Sequence, residues 1–163
     1  MLQVDEQPEV KADVLGLSLE GLREALAIED LGCELRWAES IGNALRRVQR
    51  ALRQHRRVAK APDGPLGVDE TRPTLARQAD ILREDFDLLL TQISDLRDKA
   101  WRLVGTNFSP VPDRSSVSPE ADLQEFRTLR SDAEQLLARL QEDRNAETKL
   151  VLDSINTDIG AGD

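Results

Sequence analysis

The sequence predicts an all-α protein, an up-down-up bundle of three long helices with coiled-coil-like packing. Two loops, the first rich in proline and glycine and the second rich in serine and proline, divide the chain into three long segments. In the middle segment, apolar residues recur at alternating steps of three and four, which is the heptad pattern of packed helices. The alternation typical of strands is missing and β-branched residues are sparse. If the first helix breaks near Gly32, the same pattern predicts a four-helix bundle.

The chain is divided into one domain and two tails. Residues 1–17 are acidic and show little periodicity, and we interpret them as a flexible tail. Residues 18–159 form the single helical-bundle domain, and residues 160–163 form a C-terminal tail. A domain of this size is long enough to bury a hydrophobic core.

The first helix is expected to start with Ser18 as its N-cap and to end near Lys60. Its apolar stripe is interrupted where Asp30 and Glu34 fall on the apolar side, beside Gly32. Either the helix breaks there, or this stretch is contacted from two sides. The stripe contains Leu19, Leu22, Leu26, Cys33, Trp37, Ile41, Ala44, Val48, Leu52 and His55.

A second, smaller apolar strip on this helix points almost the opposite way. It consists of Ile28, Leu31 and Leu35, and the core does not need it. Since an extra apolar strip on a helix usually finds a partner, it predicts a homodimer. Ile81 and Leu88 on the flank of the middle helix are candidates to extend the same interface.

The middle helix, which starts at Pro73, has the most regular pattern. Charged and polar residues occupy its opposite face, as expected for a solvated surface, and they are Glu84, Asp87, Ser94, Asp95 and Asp98. Its heptad positions hold over about four repeats. They are Leu75, Ala79, Leu82, Phe86, Leu89, Ile93, Leu96, Ala100 and Leu103.

The last helix has the clearest start signal. Ser118 is a capping residue, Pro119 suits the first helical position, and Glu120 places an acid against the helix dipole. Arg144 and Glu147 interrupt its apolar stripe, so the segment is either one helix with a polar layer or a helix with a frayed extension. The stripe contains Phe126, Leu129, Ala133, Leu136, Leu137, Leu140, Val151 and Ile155.

The composition excludes several kinds of site. One cysteine and one histidine among 163 residues rule out an intrachain disulfide and a zinc site with several Cys or His ligands. No nucleotide-binding glycine motif occurs, and we expect no cofactor. The N-terminus lacks the apolar run of a signal peptide, and no segment is apolar enough to span a membrane. We therefore expect a cytoplasmic protein that does not enter a membrane.

The histidine and the cysteine are both expected in the core. His55 lies on the apolar stripe of the first helix, and antiparallel packing predicts Gln78 as its hydrogen-bond partner. Cys33 is interpreted as a small core residue, because nothing near it in the sequence lowers the pKa of a thiol.

Charge is strongly segregated along the chain. The net charge is −9, yet residues 46–60 carry seven basic side chains and no acid. Helical geometry places Arg46, Arg50, Arg53 and Arg57 on one side, and we call this set the arginine stripe. It is a candidate docking surface for an acidic partner. Alternatively, these cations only balance the protein's own acids and stabilise a helix C-terminus. The net charge and the lack of interleaved aromatic residues disfavour nucleic acid.

These features favour a non-enzymatic protein-protein interaction or oligomerisation module. The expected partners are further copies of the chain or an acidic protein. The alternative is a helical sensor or enzyme for a phosphate or another small ligand, with Asp30, Glu34, His55 and the basic residues 46–60 as its site.

Overall fold

A computed structural model describes residues 13–28, 33–61, 64, 66–67, 72–108 and 119–159. These residues form four helices, which are α1 (Val14–Ala27), α2 (Glu34–Ala59), α3 (Pro73–Phe108) and α4 (Pro119–Ile159). The all-α prediction is confirmed, and the four-helix form is the one adopted. The expected first helix is divided, since α1 ends at Ala27 and α2 begins at Glu34.

Helix α1 begins four residues earlier than Ser18, the start that the sequence predicts. The N-cap is Asp13, whose Oδ1 accepts a hydrogen bond of 2.8 Å from the Gly16 backbone N–H. This bond satisfies one of the N–H groups that a helix start leaves without a partner. The Ser18 hydroxyl instead donates to the Val14 carbonyl one turn earlier.

Consecutive helices run antiparallel. The Trp37 indole N–H donates 3.1 Å to the Ala25 carbonyl, which pairs the start of α2 with the end of α1. Helix α2 packs against α3, and α3 against α4. Helix α4 also packs along α1, so the chain forms an up-down-up-down bundle.

Two arginines of α4 contact the two ends of α1. Arg144 lies 2.5 Å from Asp13 at the N-cap. At the other end, Arg130 donates 2.9 Å to the carbonyls of Leu26 and Ile28 and lies 4.7 Å from the ring centre of Trp37. Arg130 thus supplies hydrogen bonds to carbonyls at the end of α1.

The core follows the predicted apolar stripes. Every heptad position predicted on α3 is buried, and Phe86, Leu89 and Ile93 are almost fully enclosed. The α2–α3 loop contributes Leu66, which is fully buried; its N–H donates to the Ala59 carbonyl. Burying one such side chain contributes about 1.5 to 3 kcal/mol.

Helix α4 is continuous and carries a polar layer. From Phe126 its buried positions step by three and four without a break, and Asp143 and Glu147 take two consecutive positions of that pattern before Leu150. The helical spacing of the buried positions is therefore continuous, although two of these positions hold acidic residues. Of the two alternatives that the sequence leaves open, the single helix is the one that forms.

Candidate functional site

The arginine stripe lines an open groove on α2. All four of its side chains are exposed, and the groove has a volume of about 560 Å³. Arg97 of α3 forms the opposite wall. Gln49 and Gln54 add hydrogen-bonding groups between the arginines. The full lining is Arg46, Gln49, Arg50, Arg53, Gln54, Arg57 and Arg97.

Three arginines of the stripe have no ion-pair partner within the described part of the chain. No carboxylate there lies within 4.0 Å of the guanidinium groups of Arg50, Arg53 and Arg57. Arg56, their half-buried neighbour, does pair with an acid of its own chain, Asp87 on α3. Balancing the protein's own acids therefore explains Arg56 and leaves the three exposed arginines without an explanation.

At the Arg46 end of the groove, α2 and α3 pack closely against each other. The Arg46 guanidinium lies 5.4 Å from the ring centre of Trp101, a distance typical of a cation–π contact. Gly42 lets that ring approach, since a Cβ there would lie 3.1 Å from the Trp101 Cε2 and Nε1 atoms. Arg97 is fixed by a 2.7 Å hydrogen bond to Gln49 and a 2.7 Å ion pair with Asp98.

The stripe is electrostatically unfavourable by itself. Like charges three or four residues apart on a helix destabilise it by about 0.2 to 0.5 kcal/mol per pair. The stripe makes three such pairs in succession, which adds up to about 1 kcal/mol. Residues 46 and 57 are separated by about 16 Å of helix rise, so an elongated anionic partner can relieve several of these repulsions at once.

The alternative site is not assembled by the fold. Asp30 lies outside the described residues. Glu34 is the first residue of α2 and His55 lies near its end, about 30 Å farther along the helix. Glu34 and His55 therefore do not share a site, although His55 lies within the basic segment.

The expected environment of His55 is wrong. Its partner is an acid, Glu147, whose Oε2 lies 2.6 Å from the imidazole Nε2. The ring also contacts Phe86 edge to face at 5.9 Å between ring centres. Gln78 is exposed, and His55 is 31% exposed instead of enclosed. The antiparallel alignment with α3 is as expected, but α4 supplies the partner.

Asp143 is the second acid of the polar layer, and its residue is 9% exposed. Its Oδ2 atom has no hydrogen-bond partner. Burial, together with the nearby charge of Asp85, raises the pKa of Asp143 to about 6. Asp85 itself pairs with Arg139 at 3.3 Å. The sequence signal for this layer is the unbroken three-four spacing through Asp143 and Glu147, which an apolar-only stripe overlooks.

The structure covers two of the three residues of the predicted dimer strip. Ile28 is 42% exposed, whereas Leu35 is half-buried and packs against the core. Leu31 lies outside the described residues, so the strip stays a prediction. Cys33 is exposed at the N-cap of α2 and is not a core residue, because the helix begins only after it.

Comparisons with known proteins do not assign this site. No protein family, curated protein or solved structure matches the chain. Across the described residues, no three acidic, histidine or cysteine side chains are grouped so that they could hold a metal ion. None of the helices, as far as they are described, is long and apolar enough to cross a membrane.

Proposed function

We propose that the chain is a non-enzymatic interaction module that binds an acidic protein through the groove lined by the arginine stripe. One observation carries the proposal. Arg50, Arg53 and Arg57 line a shared groove with no acid within 4.0 Å among the described residues, while Arg56 beside them has one. A row of exposed, unpaired guanidinium groups is suited to carboxylates, which they bind with planar, paired hydrogen bonds.

An acidic protein fits the groove better than a nucleic acid. Trp101 contacts the stripe through Arg46, and this cation–π contact and the close approach to Gly42 engage its ring within the protein, whereas base stacking needs an aromatic face that is free. The net charge of −9 also repels a polyphosphate backbone beyond the groove itself.

The sensor or enzyme alternative has less support. It relied on His55 together with Asp30 and Glu34, and His55 is engaged with Glu147 on α4. Asp143 has the raised pKa that is common at functional sites, but it is enclosed in the bundle, away from the groove.

The proposal is tested by reversing the charge of the three unpaired arginines. The probe is poly-L-glutamate at low ionic strength, and the variant is Arg50→Glu/Arg53→Glu/Arg57→Glu. The matched control is Arg77→Glu/Arg127→Glu, which reverses two exposed arginines on α3 and α4. We expect the wild type and the control to bind poly-L-glutamate and the triple variant to lose binding.

Stability and a second probe separate the alternatives. Since the three arginines have no ion pair within the described residues to lose, the triple variant should keep its melting temperature. A triple variant that melts earlier and still binds poly-L-glutamate would show that the arginines only balance the protein's own charge. Preferential binding of a single-stranded oligonucleotide over poly-L-glutamate would reject the acidic-protein partner.

A further inference from the structure

An acidic surface lies directly beside the arginine groove. The antiparallel register is fixed by two contacts, Arg97 with Gln49 and Arg56 with Asp87. It places residues 46–57 of α2 alongside residues 86–100 of α3. The exposed acids of α3 in and next to that stretch form what we call the acidic stripe, and they are Glu84, Asp87, Asp95 and Asp98.

The acidic stripe is only partly neutralised within the chain. Asp87 pairs with Arg56, and Asp98 pairs with Arg97. Glu84 and Asp95 have no basic partner within the described residues. Within the described residues, two neighbouring helices therefore present unpaired cations and unpaired acids side by side, with Asp95 inside the stretch that faces residues 46–57 and Glu84 just beyond it.

This arrangement is self-complementary under one particular symmetry. A two-fold axis that runs along the groove, parallel to the helices, turns the arginine stripe of each copy onto the acidic stripe of the other. The same rotation sets α2 antiparallel to the partner's α3. A two-fold axis across the helices would set arginine against arginine, which is repulsive. A closed dimer uses the same patch on both subunits, and this patch meets that requirement.

We infer that the acidic partner of the groove is a second copy of the chain, in a two-fold homodimer built on α2 and α3. The inference rests on the proposed function, because it names the occupant of the same groove. Each dimer makes the arginine-to-acid contact twice, so Glu84 and Asp95 of both copies gain partners among the arginines of the facing stripe.

Apolar surface accompanies the charges. Ile81 and Leu88 are 51% and 46% exposed and share one line along α3 with Asp95, since the three are seven residues apart. A lasting interface needs such apolar area, because exposed ion pairs contribute only about 0 to 1 kcal/mol each. Repulsion between the two net charges is screened beyond about 10 Å at an ionic strength of 0.1 M, whereas the stripes meet in direct contact.

A charge-swap experiment tests the dimer. One variant is Arg50→Glu/Arg53→Glu/Arg57→Glu, in which both stripes are acidic. The other is Glu84→Arg/Asp95→Arg, in which the two unpaired acids become basic and the intramolecular pairs of Asp87 and Asp98 are kept. Sedimentation velocity measures the mass, and circular dichroism checks that each variant is folded.

The expected pattern is specific to this symmetry. The wild type should be a dimer that dissociates with added salt. Each variant alone should be a monomer, with the dissociation constant raised by at least about tenfold, or about 1.4 kcal/mol. An equimolar mixture of the two variants should recover the dimer mass, because an acidic surface again faces a basic one at both contacts.

Other outcomes overturn the inference, and they do so separately from the proposed function. A monomeric wild type that still binds poly-L-glutamate through the groove would reject the dimer and keep the acidic-partner function. A dimer that Leu31→Glu disrupts and the charge variants do not would assign the interface to the apolar strip of α1 and α2. A mixture that stays monomeric would reject this geometry.

Discussion

Glu147 Oε2 lies 2.6 Å from the Nε2 atom of His55, and this contact joins α4 to α2 across the bundle. The glutamate side chain is 9% exposed and the imidazole 31%. Losing the contact therefore costs the glutamate more free energy than it costs the histidine. The imidazole reaches water without its partner, but the carboxylate has little other access to a hydrogen-bond donor.

This asymmetry predicts a result for a double-mutant cycle. His55→Leu should lower the free energy of unfolding by about 1 to 3 kcal/mol, because a buried acceptor is left without its donor. His55→Leu/Glu147→Leu should cost less than the single variant, since both polar groups are removed together. Urea denaturation measures both, with Gln78→Leu as an exposed control that changes stability by less than about 0.5 kcal/mol. The cycle also needs Glu147→Leu, and a double variant whose loss equals the sum of the two single losses would mean that the pair is not coupled.

Asp143 predicts a pH dependence of stability. Its folded pKa of about 6 lies above the unfolded value, so the folded state holds the proton more tightly. The contribution to stability is therefore complete below about pH 4 and is lost as the pH rises through 6. Asp143→Asn should raise stability at pH 8 by an amount on the order of 2 kcal/mol and leave it unchanged at pH 4.

The test of this pH dependence is denaturant unfolding at the two pH values. Glu134→Gln removes an exposed acid from the same helix and serves as the control. If the free energy of unfolding of Asp143→Asn changes between pH 4 and pH 8 as much as that of the wild type, Asp143 is ionised without cost in the folded state.

Two helical glycines predict different responses to the same substitution. Gly21→Ala meets open space, with the nearest side-chain atom, from Arg47, at 3.9 Å. It should stabilise the protein by about 0.5 to 1 kcal/mol through helix propensity. Gly42→Ala gains the same propensity but presses on Trp101, so its net effect should be smaller. Thermal melting of both variants measures the difference, and equal gains would mean that Trp101 moves without cost.

Asp13 stabilises the start of α1 through two contacts, and substitutions can separate their contributions to the free energy of unfolding. Asp13→Ala removes both the hydrogen bond from the Gly16 N–H and the pair with Arg144, and should cost about 1 kcal/mol. Asp13→Asn keeps the cap and should cost less. The hydrogen bond from Gly16, with help from Arg144, lowers the pKa of Asp13. Its contribution is therefore present at neutral pH and is lost below about pH 4. Equal melting temperatures for both variants would assign the effect to Arg144 alone.

The elements that were predicted best depend on local spacing. The α3 heptads and the bounds of the arginine stripe follow from helical periodicity, which the sequence displays directly. The predicted partner of His55 was wrong because it depends on a contact between residues that are distant in the sequence. Glu147 became the partner of His55 because its side chain reaches α2 across the bundle from α4. The cap at Asp13 was missed because residues 1–17 were interpreted as a flexible tail. The buried Asp143 was overlooked because hydrophobic patterns do not register a polar residue at a core position.

Arg130 has a consequence for the order in which the chain acquires its structure. It supplies hydrogen bonds to the last carbonyls of α1, and the residues it joins lie more than a hundred positions apart. During synthesis at about 5 to 20 residues per second, α1 therefore waits about 5 to 20 s for this contact. The α2–α3 hairpin closes over much shorter distances, and short-range contacts form faster. Nascent chains that end before Arg130 thus carry an α1 packed on α2 whose carbonyls at Leu26 and Ile28 lack these hydrogen bonds, so the end of α1 is completed only when α4 is made.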